Sequence, residues 1–201
     1  MVQTGRTTDK LGGKDFITAG IFSVLALVML LVAAVTNLLP QTYFAYSAVA
    51  MLVMAPVYLI FMAKVPKRWS ITLFFVVPSL YLCLSGVEGI MAGAVILVFA
   101  AVADLVIGKD RTNFKKLSIA YLIIAAAFEI GTQVRLFLFT NDYLEQAVRI
   151  GLDQTYIDYL AANATFATWG IFIAVTVVAA FVGLFVGKRL AGRQLKTAGI
   201  N

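Results

Sequence analysis

Histidine is absent from this 201-residue chain, and cysteine occurs once, at Cys83. Without histidine there is no His-ligated metal, no Ser-His or Cys-His nucleophile and no imidazole proton switch. A lone cysteine makes neither an internal disulfide nor a thiolate zinc site. Charge is sparse as well: 13% of residues are Asp, Glu, Lys or Arg, where a soluble domain carries about a quarter. A phosphate-binding loop is missing too. The nearest string, GLFVGKR, has the wrong glycine spacing and ends in Arg instead of Ser or Thr. There is neither a paired-carboxylate motif of a membrane metalloenzyme nor the glycine-rich filter of a potassium channel.

What the chain has is apolar surface: 62% of residues are hydrophobic and the mean hydropathy is +0.94. A protein this small cannot hide so much inside a water-soluble globule, so the natural solvent is a bilayer. A helix needs about 20 mostly apolar residues to cross the hydrocarbon core. Six runs meet or approach that length, at 16–36, 43–63, 69–84, 90–107, 117–140 and 167–187. They are continuous rather than alternating, which predicts helices and not the strands of a barrel. Pro56 and Pro78 interrupt the second and third runs, and neighbouring helices can satisfy the carbonyls they free. The first run follows a basic lead (Arg6, Lys10, Lys14), but it exceeds the roughly 7–15 apolar residues of a signal peptide and reads as a retained helix. The expectation is an all-α integral membrane protein, one membrane domain over residues 1–201.

The formal charge of +6 points to orientation rather than to nucleic acid. Fourteen of the sixteen Lys and Arg residues fall before the first run, between the second and third, between the fourth and fifth, and after the sixth. The positive-inside rule then places both termini in the cytoplasm. The one long outer segment, 141–166, reads as two short helices. Leu144, Ala147 and Val148 share a face, Gly151 breaks the first helix, and Asp153 caps the second through Tyr156, Ile157 and Leu160. The segment is either a linking interfacial helix or a lid over an outward-facing cavity.

Ionisable groups inside the bilayer mark functional candidates. Glu129 lies mid-span, with Thr132 and Gln133 on the same helix face. Its carboxylate suits a ligand amine or a protonated ring nitrogen, with Thr132 and Gln133 fixing the orientation; pairing to another helix or protonation is the structural alternative. Arg135 turns away from Glu129 and either snorkels to the interface or holds an anionic group. Asp104 sits where it can pair with the adjacent basic loop. Glu88, in the turn SGVEG, stands at a cavity mouth or in solvent. Trp169, Tyr43 and Tyr46 either stack on a flat heterocycle or form an interfacial belt. Gly89-x-x-x-Gly93 and Gly183-x-x-x-Gly187 permit close helix approach. Ala19, Ser23 and Ala26 form a smooth strip that docks a partner helix or packs internally. No nucleophile or metal constellation supports an intramembrane enzyme. Two readings remain: a capture subunit for a small molecule, and a membrane scaffold without one.

The strings KDFITAGIFS at the start of the first run, AVADLVIGK at the end of the fourth, TNDYLEQAV in the outer segment and the ending GKRLAGRQLKTAGI resemble the substrate-binding (S) components of energy-coupling factor (ECF) vitamin transporters. The resemblance covers essentially the whole chain. It points to the Trep-Strep group, which includes hydroxymethylpyrimidine and vitamin B6-type components. It implies a six-helix bundle in the bacterial plasma membrane, with both ends cytoplasmic and an outward pocket for a vitamin or its precursor. It also implies no cofactor and no ATPase of the chain's own. The implied partners are a transmembrane coupling subunit and two cytoplasmic ATPases, with inward release as the loaded subunit topples. The family's small-residue motif, matched here by Ala19 and Ser23 with Ser in place of the second Ala and with Ala26 extending the strip, would contact the coupling subunit.

Overall fold

The computed structural model describes residues 10–108 and 111–200, with only the backbone of Val87 and Glu88. Arg6, Lys109 and the Glu88 side chain therefore lie outside the described residues. Among the described residues there is no strand. The helices are α1 (Gly13–Ala33), α2 (Pro40–Tyr43), α3 (Tyr46–Lys64), α4 (Ser70–Leu84), α5 (Val87–Ile107), α6 (Phe114–Leu138), α7 (Thr140–Arg149), α8 (Gln154–Asn163), α9 (Phe166–Leu190) and α10 (Gly192–Thr197), with a 3₁₀ turn at Ala34–Leu38.

Five segments are long and apolar enough to cross a membrane: Gly13–Leu38, Tyr46–Lys64, Gly89–Ile107, Phe114–Leu138 and Phe166–Leu190. The third run, 69–84, forms the apolar α4, whose 15 residues extend about 22 Å against a hydrocarbon core of about 30 Å. The neighbours of α4 account for its position. Its N-cap residue, Trp69, has a left-handed backbone (φ 68°) and no capping side chain. Asp104 of α5 takes over that role, accepting from Thr72 N (2.7 Å) and Thr72 Oγ1 (2.6 Å) in the first turn. A carboxylate is favoured there because it faces the unpaired N–H groups of a helix start. Beside Pro78, Val77 N–H donates to Ser23 Oγ of α1 at 3.0 Å.

Glycines set which helices touch. A Cβ on Gly183 would lie 2.5 Å from Leu52 O and 2.9 Å from Ala55 Cβ, and one on Gly187 would lie 2.9 Å from Pro56 Cα, so α9 rests directly on α3. Gly89 and Gly93 bring α5 equally close to α4, where Cβ atoms would overlap the carbonyl oxygens of Leu82 and Ser79. Both glycine pairs thus work inside the chain. The strip of Ala19, Ser23 and Ala26 also faces inward: all three are buried, while Ile17, Ile21, Val24 and Val28 are exposed on the rest of α1. Within the strip Ser23 is held at Val77 of α4.

The outer segment folds as its pattern predicts, with one change of face. Gly151 takes φ 79° between α7 and α8, and Asp153 caps α8 by accepting from Thr155 N at 2.8 Å. Tyr143 and Ala147 form the buried face of α7, and Ile157 and Leu160 that of α8. Val148, expected on the inner face of α7, is exposed instead, because Tyr143 at i−4 from Ala147 sets the inward direction.

Candidate functional site

At the end of the bundle that carries α7 and α8, seven elements leave a cavity of about 210 Å³. Leu30 and Leu31 of α1 and Ala34 and Asn37 of the 3₁₀ turn form one wall. Tyr43 of α2 and Tyr46 of α3 form a second. Tyr81, Leu82 and Ser85 come from the end of α4, Gly89 and Ala92 from the start of α5, and Thr132 and Gln133 from α6. Gly89 matters doubly here, since its missing side chain lets α5 approach α4 at the cavity edge. Among the described residues the wall carries no Lys, Arg, Asp or Glu; its polarity comes from phenols, hydroxyls and amides.

The polar side of the cavity is anchored in the helix packing. Thr132 Oγ1 pairs with Ser47 Oγ of α3 at 3.0 Å and also donates to Phe128 O. Gln133 is buried, and its Oε1 has no hydrogen-bond partner among the described residues. One turn deeper on the same face, Glu129 is fully buried, with Oε2 accepting from Thr176 Oγ1 of α9 at 3.3 Å and Oε1 left without a partner. Buried acceptors are nearly always paired, so these two oxygens mark a place where a donor is missing. Glu129 does not itself line the cavity; Thr132 and Gln133 stand between.

The segment above the cavity is tied to its rim. Tyr143 of α7 shares a 2.7 Å hydroxyl contact with Tyr43, and Tyr156 of α8 donates to Asn37 O at 2.9 Å. Burial pushes the Tyr156 phenol up to about 12, so it stays a neutral donor at physiological pH. Arg135 Nη1 donates to Gln146 Oε1 of α7. That places Arg135 under the outer segment and away from the cavity wall, a third arrangement beside the two its sequence position allowed. Trp169 is also outside the wall: it stacks on Phe137 (5.2 Å between ring centres, 10° between planes) in a second apolar cluster with Phe44 and Leu160.

Of the candidates from sequence, Gln133, Thr132 and Tyr43 therefore meet at the cavity, Glu129 lies behind it, and Arg135 and Trp169 support the segment above it. Glu88 is undescribed in its side chain, although the neighbouring Gly89 lines the cavity. Asn37, Tyr81 and Ser85 were not foreseen. The one available signal was their position: each is a polar residue at the same end of an otherwise apolar run. Asp104 pairs with Arg111 of the adjacent basic loop, as its position predicted.

A helical bundle with several apolar spans and a polar cavity at one end defines a polytopic membrane protein. A family described as a hypothetical bacterial integral membrane protein (Trep_Strep) matches residues 13–196, and the chain belongs to that family. No curated protein and no solved structure matches it.

Proposed function

We propose that this protein is the substrate-capture component of an ATP-driven ECF-type vitamin uptake system in the bacterial plasma membrane. In this reading α4 is a sixth, short span, both termini are cytoplasmic, and the cavity beneath α7 and α8 faces outward. The concentration of Lys and Arg at the opposite end supports that orientation. ATP hydrolysis belongs to two partner ATPases, coupled through a separate transmembrane subunit.

The observation that carries the reading is the orphaned Gln133 Oε1 in the wall of a small cavity rimmed by tyrosines. An acceptor buried without a partner costs about 1–3 kcal/mol, which a donor-bearing ligand recovers on binding. At about 210 Å³ the space is smaller than the roughly 300–1,000 Å³ of drug-sized pockets. It suits a single ring bearing amino or hydroxyl groups, such as hydroxymethylpyrimidine or pyridoxine, held flat against Tyr43, Tyr46 or Tyr81. A wall without cations disfavours carboxylate and phosphate ligands.

Titration of the purified chain in nanodiscs, read by tryptophan fluorescence and thermal shift, tests this. Hydroxymethylpyrimidine, pyridoxine, thiamine, niacin, pantothenate, biotin, riboflavin and folate form the panel. Saturable binding of a single-ring, donor-bearing compound without ATP is the expected result. A folded sample that binds none of them overturns capture of a vitamin and favours the scaffold reading.

A further inference from the structure

The end of the bundle opposite the cavity holds a second concavity, of about 360 Å³, between the last turn of α3 and α10. Its shape follows from how α10 terminates. After α10, Gly199 takes φ 72°, Gly199 N–H donates to Lys196 O (3.1 Å) and Ile200 N–H to Leu195 O (2.9 Å). This paired closure is a Schellman motif, and its usual apolar contact is present because Leu195 and Ile200 are both buried. With Ala191, Leu195 and Ile200 turned into the core, Arg193, Gln194 and Thr197 are left lining the concavity against Ala63 and Lys64.

The charges at this end do not balance. Its described acids are Asp15 and Asp104, and both are taken: Asp15 by Lys67 at 2.7 Å, Asp104 by Arg111. Arg68, Lys188 and Arg189 lie over the rings of Trp69, Phe114 and Phe185. Lys64 and Arg193 share with Lys14, Lys115 and Lys196 the lack of a side-chain partner among the described residues, and of these they are the two that line the concavity. Both stand just past the ends of apolar spans, Lys64 as the last residue of α3 and Arg193 three residues beyond α9. That is the depth of lipid headgroups, where basic pockets between helices bind anionic lipids.

We propose that Lys64 and Arg193 form a binding site for the phosphoryl headgroup of an anionic phospholipid, with Gln194 as an additional polar contact. The lipid supplies a counter-ion that the described residues do not provide there and fixes α10 against α3. The site is separate from the outer cavity and does not depend on what that cavity binds.

Native mass spectrometry of the full chain, released from micelles doped with phosphatidylglycerol or phosphatidylcholine, tests the proposal. Lys64→Gln and Arg193→Gln are each expected to weaken phosphatidylglycerol retention about fivefold, and together about thirtyfold, with phosphatidylcholine unaffected. Both side chains are exposed, so lipid-free thermal unfolding should match the wild type and show that the fold is intact. Lys188→Gln, which removes a cation already over Phe114, should keep wild-type retention. Three results would each overturn the site: a double variant that retains the lipid, a Lys188→Gln loss equal to that of Lys64→Gln, or displacement of the lipid by millimolar inorganic phosphate.

Discussion

At the basic end, Asp104 accepts from Thr72 N and Oγ1 while Arg111 reaches its carboxylate, its backbone carbonyl and Gly108 O. Nearby, Tyr58 donates to Leu117 O and Tyr121 to Met51 O. At the other end, Glu129 and Gln133 each keep an oxygen without a partner, as Trp169 does its indole N–H. Beyond these three side chains the orphans are the small hydroxyls of Ser79 and Ser118. Apart from the Ser118 hydroxyl, the basic end thus closes these polar groups within the chain, whereas the cavity end, for all the contacts that tie α7 and α8 to its rim, keeps two acceptors open. Under the proposed capture function the open acceptors are the groups available to a ligand, because pairs completed within the chain leave nothing for one.

The largest effect should come from opening the closed end. Arg111→Met leaves Asp104 buried with Thr72 alone, and loss of one partner of a buried pair costs about 3–5 kcal/mol. Thermal unfolding in detergent should show a large drop, much of it restored in Asp104→Leu/Arg111→Met, where no charge is left stranded. If Arg111→Met unfolds like the wild type, the basic end is not locked and the contrast between the ends fails.

Next is the helix contact that joins them. Gly183→Ala puts a methyl against Leu52 O, a backbone atom that cannot rotate away, and overpacking of this kind costs about 1–3 kcal/mol. Gly170→Ala on the same helix meets open space and should be neutral or gain about 0.5–1 kcal/mol from helix propensity. Equal effects at the two positions would mean that α9 does not rest on α3 as described.

The third test reverses the sign. Gln133→Leu removes an unpaired acceptor, so the protein should gain about 1 kcal/mol in stability while ligand affinity falls roughly three- to tenfold. Calorimetry of the variant with the ligand from the vitamin panel separates the two quantities. A destabilised Gln133→Leu would show that the amide is satisfied within the fold and that the cavity end is as closed as the other.

Much of this arrangement is legible in the chain itself. The spans emerge to within a few residues because their apolar runs are continuous, and Gly151 and Asp153 announce the break and cap of the outer segment through backbone chemistry that needs no tertiary context. Rotation of each helix is harder. In a soluble protein an apolar stripe marks the inner face, whereas here Ile17 and Val24 are as apolar as anything in the core and yet exposed. Small residues were a better guide: Ala19, Ser23, Ala26, Gly183 and Gly187 all face protein. They show that a neighbour is close without saying which one. Arg135 and Tyr81 were out of reach for a related reason, since Gln146 and the cavity exist only once distant segments meet.

The smallest predicted effect concerns the tie between α8 and the cavity rim. Asp153 is exposed, and its bonds from Thr155, through hydroxyl and N–H, hold its carboxyl below the ordinary value of 3.8. The charged form is therefore favoured by folding. Its contribution is complete above the ordinary carboxylate range and disappears as pH falls through the lowered value. The protection factors of the Thr155 and Tyr156 amides, taken against their intrinsic exchange rates, should fall in acid in the wild type. They should be low at every pH in Asp153→Ala and nearly pH-independent in Asp153→Asn, whose neutral side chain still caps. On the alkaline side Tyr156 keeps its proton up to about 12, so its bond to Asn37 O persists well beyond neutrality. Acid should therefore loosen the cap of α8 and, at the basic end, the pair of Asp15 with Lys67, which loses its charge attraction once the Asp15 carboxylate is protonated. Protection at Thr155 and Tyr156 that stays constant with pH in the wild type would show that the Asp153 carboxylate does not hold the start of α8.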